Sequence, residues 1–145
     1  MPKKNLKFFI SYSHKDKKYK EELLTQLETL KLTHKIDVWH DGRIDAGDEI
    51  DRAILKELGR SAVVVLLISP YFLASWYCMR VELENAIKRH HKGESIVVPV
   101  IISDSIIDDT LSFSKLKRVP EDGKAIQSFR PQSKGYVNAV SKIKN

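Results

Sequence analysis

One stretch of this chain leaves few folds open. Ala62-Val63-Val64-Val65-Leu66-Leu67-Ile68 is apolar at every position. A strand with one face in water alternates apolar and polar residues. A run without alternation is buried on both faces, as in a parallel sheet that helices cover front and back. At seven residues it is far short of the ~20 needed to cross a bilayer. Ser69-Pro70 marks its end, because proline cannot continue a ladder.

The segments around it alternate in kind. Lys7-Phe8-Phe9-Ile10-Ser11-Tyr12 is a short apolar and aromatic run and reads as a strand. Asp16 can cap the helix that follows, on which Tyr19, Leu23, Leu27 and Leu30 form one stripe. Ile36-Asp37-Val38-Trp39 reads as a second strand, and the segment from His40 to Gly47 as a loop. Asp48 caps a second helix with Ile50, Ile54 and Leu58 on one face. After the central strand a helix is expected over about 77–91, with Met79, Leu83, Ala86, Ile87 and His90 inward. Ile96-Val97-Val98-Pro99-Val100-Ile101-Ile102 is another buried run, and its proline argues for an outer strand or a strand's end. Residues 103–132 are irregular. Residues 133–144 form a last helix on Tyr136, Val137, Val140 and Ile143.

This βα alternation implies an open, mostly parallel sheet with helices on both faces. Such sheets take ligands outside the carboxyl ends of their strands. Here those ends are Ser11-Tyr12-Ser13, Trp39-His40-Asp41, Ser69-Pro70 and Ile102-Ser103.

Composition narrows the function. The 145 residues amount to one domain, and the single cysteine, Cys78, excludes a disulfide framework or a cysteine-built zinc site within the chain. The start, Met1-Pro2-Lys3-Lys4, is basic, but only Phe8-Phe9-Ile10 is apolar behind it, too short for a secretory leader. A cytoplasmic protein without a membrane segment is expected, either complete or the N-terminal part of a longer one. The net charge of +6 is spread over scattered lysines without interleaved aromatics, so nucleic acid is not the expected ligand.

Several chemistries lack their residues. No glycine-rich phosphate loop follows a strand, and no Gly-x-Ser-x-Gly elbow presents a nucleophile. The histidines His14, His34, His40, His90 and His91 show no metal-binding spacing, so no metal is expected. The carboxylates of the third helix say more. Glu84 has Arg80 one turn before it and Lys88 one turn after, the charge ladder of a solvated face. Glu82 has no cation at helical spacing and lies beside the end of the central strand. A carboxylate with small or apolar neighbours is poorly solvated and available to a ligand.

Taken in order, these motifs resemble the Toll/interleukin-1 receptor (TIR) domain family, in its bacterial form. Phe8-Phe9-Ile10-Ser11-Tyr12-Ser13-His14-Lys15-Asp16 resembles its opening strand and first loop. Ile36 to Asp48 resembles the second strand and the long loop after it. Val64 to Cys78, followed by Glu82-Leu83, resembles the central strand and the aromatic-Cys…Glu-Leu helix, and Val98-Pro99-Val100-Ile101 the next strand. The likeness covers about residues 6–130.

The resemblance implies a flavodoxin-like fold with a five-stranded parallel sheet. It also implies one of two activities. One is NAD+ glycohydrolysis, giving nicotinamide and ADP-ribose or a cyclic form, in an immune or anti-phage effector. The other is non-catalytic scaffolding through TIR–TIR contacts. For the enzyme, the resemblance places the catalytic residue at Glu82. It places Ser11, Tyr12, Ser13, Trp39, Arg43, Trp76, Tyr77 and Cys78 around NAD+, which is substrate, so no cofactor is implied. The implied partners are other TIR domains, stacked head to tail. Two positions depart from the pattern. Plant-type members carry Trp four residues before the Glu, where Cys78 stands here, and the loop ends in Ala46-Gly47 rather than Pro-Gly.

Overall fold

The apolar run becomes β3, Val63–Ile68, with every residue buried. It pairs in parallel with β1 (Leu6–Tyr12) on one side and β4 (Ile96–Ile101) on the other. β2 (Ile36–Arg43) pairs in parallel with the outer side of β1, which gives the order β2-β1-β3-β4. The computed structural model describes residues 6–33, 36–43, 52–78, 80, 83–85, 96–111 and 113–144; for residues 6, 33, 40–43 and 144 it describes the backbone alone.

Among the described residues the expected fifth strand is a single parallel bridge, Val100 to Val119. The Val119 amide donates to the Pro99 carbonyl at 2.9 Å, and the Ile101 amide donates to the Val119 carbonyl at 2.7 Å. Within a strand the nitrogen and carbonyl of one residue point the same way. The Pro99 nitrogen therefore faces away from β3, and its missing N–H costs no bond to that neighbour. This is the outer position that the proline demands.

Side chains alternate across the sheet and divide the core in two. Phe8, Ile10, Val65 and Leu67 pack with Leu23 and Leu27 of α1 (Lys17–Thr33) and with Tyr136 and Ala139 of α4 (Gln132–Lys144). Phe9, Val64, Leu66 and Ile68 pack with Leu58 of α2 (Arg52–Arg60) and with Phe72 and Trp76 of α3 (Pro70–Cys78). The result is the three-layer flavodoxin-like α/β arrangement that the alternation implies.

Four details differ from the sequence reading. β2 does not stop at Trp39 but runs to Arg43. Phe9 pairs with Trp39 and Ser11 with Gly42, so β2 carries an extra residue in a bulge, a device that bends a strand near its end. α3 begins at Pro70, because Ser69 and Pro70 supply an N-cap and a pre-set first helical residue. The chain is helical again at 83–85. Of the residues expected inward there, Leu83 is buried, and the rest lie outside the described residues. In α4, Val137 is 52% exposed and Ala139 takes its place inside. Asp48 and Ile50 lie outside the described residues, while Ile54 is half-buried and Leu58 buried, as their stripe requires.

Candidate functional site

All four strands run the same way, so their carboxyl ends share one edge. The chain steps from β1 to β2 on one side and later to β3 on the other, so the connections diverge between β1 and β3. In open α/β sheets that divergence opens the ligand crevice. Here β1 contributes Ser11, Tyr12, Ser13 and a 3-10 turn at His14–Asp16, and β3 contributes Ser69 and the start of α3.

The crevice is bridged from within. Ser13 caps the short turn by accepting the Lys15 amide at 3.4 Å, and the Asp16 amide donates to the Ser13 carbonyl at 2.8 Å. Asp16 is not the cap that the sequence suggests. It is 3% exposed, and its Oδ2 accepts the Ser69 hydroxyl, whose own residue is 1% exposed. Ser69 Oγ in turn accepts the Phe72 amide at 3.1 Å, and its carbonyl accepts the Leu73 amide at 3.0 Å. Burial raises the Asp16 carboxyl above its ordinary pKa, while the bond from Ser69 pulls the other way. The neighbouring Lys15 ammonium lies 4.8 Å from the centre of the Tyr71 ring, a second contact between the β1 turn and the start of α3.

The three residues expected to line the pocket are at the right edge but covered. Ser11, Tyr12 and Ser13 are all buried. The Tyr12 ring packs in the α1/α4 half of the core, 5.0 Å from the Lys20 ammonium. Arg43 pairs with Tyr12 in the ladder, so the β2 end reaches the same edge. Trp39 is half-buried on the α2/α3 face, and its indole nitrogen is buried with no hydrogen-bond partner among the described residues.

On α3 the aromatic residues separate. Trp76 is fully buried, 5.2 Å from Phe113 and nearly perpendicular to it, with no face left for a ligand. Tyr77 is 41% exposed, and Cys78 is exposed at the helix end. The Trp76 indole donates to Glu84 Oε1 at 3.2 Å, and Glu84 is buried. Glu84 is thus not on the solvated face that its flanking charges suggest. Glu82 lies outside the described residues, so its distance to the first loop does not enter the site.

Among the described residues no group of His, Cys, Asp and Glu could hold a metal ion, and no helix is long and apolar enough to cross a membrane. A shallow groove along α4, lined by Ser133, Lys134, Val137, Asn138, Ser141 and Lys142, carries no acid or base pair. Sequence reasoning misses Asp16, Ser69 and Glu84 as partners. The first two are 53 residues apart, and no local pattern announces their contact. A Ser-Pro pair before an apolar segment is a helix-start signal, and reading it so would have put the third helix at Pro70.

Comparison with known proteins agrees with this geometry. A family model described as the TIR domain matches residues 8–130. Uncharacterized protein y4lF of Sinorhizobium fredii (strain NBRC 101917 / NGR234) is 38% identical over 136 residues, 94% of this chain and 42% of the relative. The chain thus spans less than half the length of that protein. The family match begins within β1 and ends beyond the Val119 bridge, so it takes in β1 from Phe8 onward, all of β2, β3 and β4, and both halves of the Asp16–Ser69 clasp. This chain belongs to the TIR domain family.

Proposed function

We propose that this TIR domain is an NAD+ glycohydrolase in a signalling or defence effector, with Glu82 as its catalytic carboxylate. One observation carries the choice of Glu82 over its neighbour. Glu84 is buried and its carboxylate is bonded to Trp76, a structural use. Glu82 is the other carboxylate of the segment, four residues after Cys78 in the sequence, at the position the resemblance assigns.

The chemistry suits a single carboxylate. The bond from ribose C1′ to the pyridinium nitrogen breaks, its electron pair stays on that nitrogen, and nicotinamide leaves neutral. No acid is needed to protonate the leaving group. The positive charge on the ribose is stabilised by the carboxylate against it. Water then adds to C1′ and releases a proton, giving ADP-ribose. If an adenine nitrogen attacks C1′ instead, the product is cyclic. Tyr71 and Tyr77 are the exposed aromatics of α3; Lys15 already lies over the Tyr71 ring, and Tyr77, beside Cys78 at the position the resemblance assigns, is the proposed base-stacking residue of that helix. The first loop contributes its backbone and the exposed His14 and Lys15, because Ser11, Tyr12 and Ser13 are covered.

A second reading, a scaffold acting through TIR–TIR contacts, is favoured by one feature. Pro70, Tyr71, Ala74, Tyr77 and Cys78 are the exposed residues of α3, and none is charged. An uncharged outer helix face suits a protein partner. Incubation with NAD+ and resolution of nicotinamide, ADP-ribose and cyclic products separates the readings. The enzyme yields nicotinamide, and the scaffold leaves NAD+ intact.

A further inference from the structure

A buried carboxylate is costly unless something offsets it. Replacing a buried polar pair by apolar residues of similar size is often neutral or stabilising, so such a pair is weak support for a stability role. The Asp16–Ser69 clasp is a pair of this kind, and both residues are almost wholly buried. Its placement gives it another use. It joins the turn after β1 to the first residue before α3, across the divergence of the sheet. Ser69 uses its proton on Asp16, its lone pair on the Phe72 amide and its carbonyl on the Leu73 amide. Asp16 is itself tied to Ser13 through its amide. Any tilt of the α3 start must therefore break a bond to the β1 turn or to the cap.

We infer that Asp16 is a positioning residue which, acting through Ser69, fixes the start of α3 against the turn after β1. This inference rests on the NAD+ reading, because α3 carries Tyr77 and leads to Glu82. Small errors in the position of reacting groups are expensive, up to about 100-fold in rate for a displacement of about 1 Å. Asn at position 16 still offers an oxygen to the Ser69 hydroxyl, whereas Ala offers none.

The test compares Asp16→Ala, Asp16→Asn and Ser69→Ala in the 145-residue chain. It uses NAD+ cleavage measured well below each melting temperature, and hydrogen exchange at the Phe72 and Leu73 amides. Asp16→Ala is expected to lower kcat/KM by about 10- to 100-fold and to speed exchange at both amides. Asp16→Asn should restore kcat/KM to within a few-fold and protect both amides. Ser69→Ala, which breaks the same bond from the other side, stands in if Asp16→Ala does not fold. Wild-type kcat/KM in the alanine variants, or equal losses in Asp16→Ala and Asp16→Asn, would overturn the inference. If the wild-type chain leaves NAD+ intact, the NAD+ reading fails separately. The exchange data then decide the clasp, and unchanged protection at Phe72 and Leu73 in Asp16→Ala overturns it.

Discussion

Asp16 places a carboxylate where water does not reach, and the consequence can be read as a function of pH. Burial, partly opposed by the Ser69 bond, holds its folded-state pKa above the ordinary value of 3.8. The folded state therefore keeps the proton longer than the unfolded chain does. Asp16's contribution to stability is fullest below the ordinary value and falls as pH rises through the folded value. Asn does not ionise and keeps an acceptor for Ser69. Asp16→Asn is thus expected to be more stable than wild type at pH 7, with the gain shrinking as pH falls toward 3.8. Urea unfolding of both proteins across that range measures the difference. A wild type that is the more stable at neutral pH would contradict the burial argument. This residue also marks a limit of sequence reading. Asp in a Ser-x-x-Asp segment before a helix reads as a cap by local rules, and only a contact with Ser69, distant in sequence, gives it another role.

At the scale of elements, a polar contact inside an apolar half-core joins α3 to the helical residues 83–85. Trp76 sits between Phe72 and Phe113 and gives its only hydrogen-bond donor to Glu84. Trp76→Phe keeps the ring contacts but takes away that donor from a buried carboxylate. It should destabilise the fold by about 1–3 kcal/mol, measured as a lower denaturation midpoint. Glu84→Gln keeps an acceptor and should cost less than Trp76→Phe. The reverse order would mean that Glu84 is held by its charge rather than by this bond. The elements themselves were legible wherever periodicity was strong. β3 has no polar position, α1 has its leucine stripe, and both stand as the pattern requires. The end of β2 was not legible, because a bulge extends the strand through polar residues that read as loop. Nor was the burial of Glu84, whose i±4 cations describe one helix face and not the indole that approaches it.

At the scale of the whole molecule, the described residues of the site edge largely fill it themselves. Ser11, Tyr12, Ser13, Asp16 and Ser69 are all buried there, and Trp76 lies in the core. The family and the three-layer fold could be read from four motifs in order, while the openness of the edge could not, because packing decides which side chains face out. Few accessible groups among the described residues line that edge, which suits completion by a neighbour, as in the head-to-tail stacking that the resemblance implies. Forced clustering on a scaffold is expected to raise the NAD+ turnover per molecule over that of dilute protein. Substitution at Arg43 or Asp45 should suppress the gain. Turnover that stays flat from dilute to clustered protein would remove assembly from the account without touching the chemistry. That chemistry meets its most direct test in the clustered wild type, Glu82→Gln and Glu84→Gln, each incubated with NAD+ and assayed for released nicotinamide. The account predicts nicotinamide from wild type, a loss of about 10²–10³ or more in Glu82→Gln, and activity within a few-fold of wild type in Glu84→Gln. Intact NAD+ with wild type, or equal losses at both glutamates, would contradict it.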